Sequence, residues 1–212
     1  RMRPLLALAA QSAWNRRGTL ALVMLSMALA TALLLTLERL RTDIRASFSQ
    51  AVSGTDLVVG ARTGPVQLML YAVFRVGGAT NQISMASVRA VAAHRAVAWV
   101  VPLALGDSHR GFPVLGTTPE YFDRFRYGDR RELRLAAGKR FEGIFEAVLG
   151  AEVADRLGYR PGEKIALAHG SGEGPAAEHN DKPFVVTGIL ERTGTPVDRT
   201  VHVSLQAIEA IH

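Results

Sequence analysis

Cysteine is absent from all 212 residues, which excludes a disulfide scaffold and any zinc module ligated by thiolates. The chain is not poor in apolar residues either: at 48% hydrophobic and 21% charged it has enough core-forming material to exclude a disordered tail. One domain or two small ones remain. Acidic residues are missing from the whole of residues 1–37, where Arg1, Arg3, Arg16 and Arg17 stand unopposed. Those four supply most of the formal +6, because the rest of the chain carries 21 basic and 19 acidic side chains. A basic stripe for DNA or RNA is therefore lacking, and no nucleic-acid partner is expected.

Catalytic signatures are missing as well. No Gly-x-x-x-x-Gly-Lys-Ser/Thr loop occurs, so hydrolysis of ATP by that route is excluded. Gly170-Ser171-Gly172-Glu173-Gly174 superficially resembles a nucleotide loop, but Pro175 and the polar run after it supply no helix N-terminus for a phosphate. Ser171 has glycines as direct neighbours and lacks the setting of a nucleophile elbow. His169, His179 and Asp181 share this loop and have metal-ligand chemistry without a regular ligand spacing, so they read as solvated polar residues or as a zinc site. Glu173, Glu178 and Asp181 are crowded into one loop, a poor setting for an acid/base pair, which needs rigid support. His94, His109, His202 and His212 are scattered. The turn Arg192 to Arg199 could hold a site or be a structural loop.

What the sequence does contain is a long apolar run. Gly18 to Leu37 is twenty residues without a charge, closed by Glu38, Arg39 and Arg41. At about 1.5 Å per residue it spans a hydrocarbon layer of roughly 30 Å. Arg16 and Arg17 stand immediately before it and act as topology signals, holding the N-terminus in the cytoplasm and sending the rest across the membrane. A cleaved signal peptide, cut after Ala30 or Ala32, and a buried core helix are the alternatives. Leu33, Leu34 and Leu35 carry the apolar run past both cleavage sites, and a signal h-region is usually only about 7–15 residues.

The expected organisation is a juxtamembrane amphipathic helix over residues 1–17, a transmembrane helix over 18–37, a stalk helix over 38–53 and an extracytoplasmic domain over 54–212. The stalk follows from Leu40, Ile44 and Phe48 at four-residue spacing with charges between them. Asp56 to Gly60 reads as a short buried strand, Pro65 to Phe74 as helical or irregular, and Ser84 as the cap of a helix. Val97 to Leu105 and Phe112 to Gly116 read as a hairpin around a polar turn, 106–111. Thr118 and Pro119 start a short helix with Tyr121, Phe122 and Phe125. Strand Phe145 to Gly150, a helix stopped by Gly158, strands Lys164 to His169, Phe184 to Leu190 and Thr200 to Val203, and a final helix capped by Ser204 complete the chain. The fold class is α+β, with short strands and helices in two lobes.

These residues together resemble a family. Asn15-Arg16-Arg17-Gly18-Thr19 before the first span, Gly54 to Ala61, and Pro65 to Arg75 are similar to ABC transporter permeases of the MacB/FtsX/LolCDE type. Leu149 to Ala154, then Gly158, Gly162 to Ile165 and Phe184 to Leu190 follow the order of the MacB-like periplasmic core domain. The resemblance implies the N-terminal part of a longer permease in the bacterial inner membrane, with most of this chain periplasmic. It implies no enzymatic activity and no cofactor in this chain, since ATP and magnesium bind a separate cytoplasmic ATPase subunit. A second permease copy or a paralogue, membrane lipids, and a periplasmic membrane-fusion protein or lipoprotein are the further partners it implies. In that family, ATP-driven closure is transmitted by stalks to periplasmic domains that extrude or extract a substrate. The alternative is an anchored sensor or scaffold that regulates a partner such as a cell-wall hydrolase, as FtsX-like members do.

Overall fold

The computed structural model describes residues 11–51, 53–77, 81–169 and 182–211. Arg1, Arg3, most of the juxtamembrane segment, the glycine-rich loop with Ser171, Glu173, Glu178, His179 and Asp181, and His212 lie outside them. The described residues fall into two units, 1–47 and 48–212, each taken by itself below.

The first unit is dominated by helix α1, Arg17–Ala51, whose 35 residues continue into the second. Its part from Arg17 to Asp43 is long and apolar enough to cross a membrane, and none of it is buried. That exposure differs from the mostly buried state of a soluble protein's core helix. Within the span, Ser26 Oγ donates to the Leu22 carbonyl at 2.9 Å and Thr36 Oγ1 to the Ala32 carbonyl at 2.7 Å. Both hydroxyls are thus satisfied inside the helix, as hydrocarbon surroundings require. Beyond Leu37 the helix continues without a break, and Glu38, Arg39, Arg41 and Asp43 form exposed pairs at 3.8–4.0 Å that add little stability.

In the second unit, two short helices come first, α2 (Pro65–Ala72) and α3 (Met85–Ala92). Pro65 starts α2 at a position where its missing N–H costs nothing, and Ser84 Oγ accepts from the Ser87 N–H at 3.2 Å to cap α3. The strand expected at Asp56 to Gly60 is not formed. Leu57 is 75% exposed and Val59 51% exposed, and among the described residues this run pairs with no strand.

The sheet is mixed and eight-stranded. Its members are β1 (Ala104–His109), β2 (Phe112–Thr117), β5 (Leu135–Gly138), β6 (Glu146–Leu149), β7 (Lys164–Ile165), β8 (Ala168–His169), β9 (Phe184–Leu190) and β10 (Val201–Ser204). A separate ribbon joins β3 (Arg126–Tyr127) to β4 (Arg131–Glu132). The main order is β5-β9-β6-β10-β2-β1-β8, with β7 also on β9; β10 runs parallel to β2 and β6 parallel to β9. The hairpin is present but displaced: its first strand takes in the polar Gly106 to His109, and only Arg110 and Gly111 turn, both at positive φ of 46° and 81°. Two consecutive left-handed residues make the tight turn whose twist matches the strands. Lys164 to His169 forms two short strands instead of one, since its ends pair with different partners, β9 and β1.

Both faces of the sheet are covered. Phe112, Val114, Ala147, Leu149, Val201 and Val203 point to one face, where helices α5 (Ala151–Leu157) and α6 (Leu205–Ile211) pack through Val153, Ala154, Ala207 and Ile211. Leu115 and Val148 point to the other, against Tyr121 and Phe122 of helix α4 (Glu120–Arg124) and against Phe141 and Val197. Residues 48–212 are therefore one compact unit with two cores divided by the sheet, where two lobes were expected. Strand β9 changes sides. Its pairing slips by one residue between Val186 and Gly188, so Phe184 and Val186 serve the first core and Leu190 the second.

Candidate functional site

Arg16 and Arg17 are the residues expected to act as topology signals. Arg17 begins α1, Arg16 directly precedes it, and both are exposed. The Arg17 guanidinium lies 5.4 Å from the centre of the Trp14 ring, an arrangement suited to a membrane interface.

The other described candidates take part in hydrogen bonds or strand pairing within the fold. In the turn Arg192 to Arg199, the buried Asp198 carboxylate accepts from the Thr193 N–H at 2.7 Å, the Thr193 hydroxyl at 2.8 Å and the Gly194 N–H at 2.7 Å. Thr195 Oγ1 accepts from the Val197 N–H at 3.3 Å. The buried Asp198 is thus satisfied within the turn, while Arg192 and Arg199 pair outside it with Asp155 and Glu152. His109 is clamped between the Ala166 carbonyl at 2.6 Å and the Tyr159 hydroxyl at 3.0 Å. His169 pairs in β8 opposite Asp107, and among the described residues no group of three potential ligands could hold a metal.

A different cluster, not singled out by the sequence, surrounds a small cavity of about 70 Å³. Ala51, Val58, Ala72, Val73, Leu103, Phe125, Pro196 and Val197 give it mostly apolar walls; Thr55, Arg75 and Tyr121 are the polar members. Arg75 enters from the end of α2. The Val76 N–H bonds back to the Leu70 carbonyl at 3.0 Å, and Arg75 occupies the left-handed position of that helix cap at φ 60°. A non-glycine residue there costs roughly 1–2 kcal/mol, although Gly77 stands only two residues away. The Arg75 side chain lines the cavity, and one guanidinium nitrogen donates to the Ala72 carbonyl.

Arg75 is partly buried as a residue, but its Nε is out of reach of solvent and has no hydrogen-bond partner. Desolvation lowers its pKa from the ordinary value, partly offset by the Tyr121 hydroxyl that faces it. Among the described residues no carboxylate pairs with it. Tyr121, 3% exposed, also has an unpartnered hydroxyl, and burial pushes its pKa up against the opposing pull of Arg75. The two groups are close enough to polarise each other, yet their geometry falls short of a hydrogen bond that would satisfy Tyr121 Oη or Arg75 Nε. Behind Tyr121, at a ring-centre distance of 5.5 Å, His202 is fully buried. Its Nδ1–H donates to the Val148 carbonyl at 3.2 Å, and its Nε2 is unpartnered. Burial first, and the Arg75 charge second, push its pKa down to about 3, so the ring is neutral at pH 7.

Arg75 Nε, Tyr121 Oη and His202 Nε2 are the buried side-chain atoms without partners among the described residues, and they belong to one cluster. An orphaned buried polar atom costs about 1–3 kcal/mol. Arg75 and Tyr121 line the cavity, and His202 lies behind Tyr121. A signal was available in the sequence: Val201-His202-Val203 puts a histidine at the opposite face from two core valines.

The sequence pattern of the MacB-like periplasmic core domain matches residues 18–212. Among solved structures, the extracellular domain of the noncanonic ABC-type transporter YknZ from Gram-positive bacteria is similar, at 14% identity and a TM-score of 0.41, over 60% of this chain and 65% of that one. A domain of a permease protein from Porphyromonas gingivalis is similar at 14% identity and a TM-score of 0.35, over 50% of this chain and 44% of that one. The chain thus spans less than two thirds of either structure. No curated protein matches it. The family match takes in all but the first 17 residues, and the chain belongs to the MacB-like periplasmic core domain family.

Proposed function

We propose that this chain is the membrane-anchoring and periplasmic portion of an ABC transporter permease subunit. The observation that carries the reading is the family match across both the apolar span and the folded domain, joined by the unbroken helix α1. A continuous α-helix with each backbone carbonyl bonded four residues on resists axial compression, so it passes a displacement from one end to the other. In this role a separate cytoplasmic ATPase binds ATP and magnesium, two permease copies or a permease and a paralogue pair in the inner membrane, and a periplasmic adaptor or lipoprotein takes part. Arg16 and Arg17 lie on the cytoplasmic side and residues 54–212 on the periplasmic side. The domain's contribution is mechanical and substrate-handling, with ATP hydrolysis left to the partner.

The test is co-purification of the full-length protein with an ATPase, followed by ATP turnover in lipid nanodiscs. The expected result is a stable complex whose turnover exceeds that of the isolated ATPase several-fold. A full-length protein that neither binds an ATPase nor stimulates one refutes the transporter reading and leaves the anchored scaffold.

A further inference from the structure

We propose that the cavity bounded by Arg75 and Tyr121 binds the carboxylate end of a short aliphatic molecule. Three observations converge on this chemistry. The cavity holds a guanidinium without a carboxylate partner among the described residues, and a buried cation calls for an anion. Beside it the Tyr121 hydroxyl, on a residue 3% exposed, is a second donor without an acceptor. A carboxylate has two oxygens that accept from both at once, and a charge-assisted bond to each donor is stronger than any bond to water. Of the remaining walls Thr55 is polar, while Val58, Val73, Leu103, Phe125 and Val197 are apolar and suit methylene groups.

Volume sets the size of the ligand. At about 70 Å³ the cavity is well below the roughly 300–1,000 Å³ of pockets that enclose drug-sized ligands. It admits a carboxylate with a short apolar stub, not a drug-sized body. Such an end group belongs to a fatty acid or to the C-terminus of a peptide that ends in a small apolar residue. Arg75 holds the left-handed conformation at φ 60° beside the cavity, the kind of backbone strain that clusters at binding sites. This inference is independent of the transporter reading, and its test involves no ATPase.

The experiment is equilibrium dialysis of radiolabelled hexanoate against the full-length protein in nanodiscs, with empty nanodiscs as background. Wild type is expected to bind hexanoate saturably, 1-hexanol to leave binding unchanged, and Arg75→Gln to weaken it at least tenfold. Tyr121→Phe keeps the ring in the core and removes only the hydroxyl, with an expected loss of several-fold. Competition by a dipeptide ending in valine against the same dipeptide amide assigns the source: displacement by the free acid alone identifies a peptide terminus, and displacement by octanoate but neither peptide identifies a fatty acid. No saturable binding, or equal binding by wild type, Arg75→Gln and Tyr121→Phe, overturns the proposal and leaves a cavity filled by water.

Discussion

Lowering the pH tests the buried histidine most directly. His202 is inaccessible to solvent, and burial with the nearby Arg75 charge holds its pKa down to about 3. In the unfolded chain the same ring takes up a proton near its ordinary value of about 6.5. Between those two values the unfolded state binds one proton more than the folded state. Stability on this account is complete above about pH 6.5 and falls as the pH drops toward 3, by about 1.4 kcal/mol for each pH unit. From pH 7 to pH 5 the loss is about 2 kcal/mol, a large part of a total that is typically about 5–15 kcal/mol. The assay is urea unfolding in mild detergent read by Trp99 fluorescence, with Trp14 replaced by Phe. His202→Asn serves as the reference, because its amide can donate to the Val148 carbonyl but cannot titrate. The variant is expected to be less stable at pH 7 and to close the gap on wild type by about 2 kcal/mol at pH 5. The other histidines are common to both proteins and cancel in the difference. Parallel pH curves for the two proteins would refute the reasoning.

Three further outcomes follow from other parts of the structure. A Cβ at Gly150 would lie 2.2 Å from the Val197 carbonyl oxygen and 2.4 Å from that of Asp198, so Gly150→Ala must push the turn off the strand; a loss of about 2 kcal/mol or more in urea unfolding is expected. Asp198→Ala strands the Thr193 and Gly194 N–H groups and is expected to cost about 3 kcal/mol, with unchanged stability counting against the turn as a structural element. Reversing both Arg16 and Arg17 to Glu removes the proposed topology signal. Alkaline phosphatase fused after Ala51 should then lose activity, and undiminished activity contradicts the orientation assigned here.

Local chemistry made much of the fold legible. Ser84 and Ser204 cap the helices they precede, and Gly158 ends α5 in the left-handed conformation at φ 73°, because caps and stops depend on residues within one turn of each other. The Asp56 to Gly60 run failed for the opposite reason. A strand needs a neighbour, and the availability of a sheet edge is decided by distant segments. Strand β9 shows a subtler limit: its burial alternates without interruption from Phe184 to Leu190, yet the slip after Val186 sends its two halves to different cores.

The candidate site was less legible than the fold. Arg75 reads as the end of an apolar segment, Tyr121 as a core aromatic and His202 as an isolated histidine; no spacing links them. The sequence by itself determined the uncharged span, the arginines before it, the caps and most strands, because each rests on periodicity or on contacts within a few residues. Only the tertiary structure decided that Arg75, Tyr121 and His202 share one buried cluster. Their approach depends on the left-handed turn after α2 and on the seating of α4 against β10, and burial acquires its electrostatic meaning only once those surfaces close.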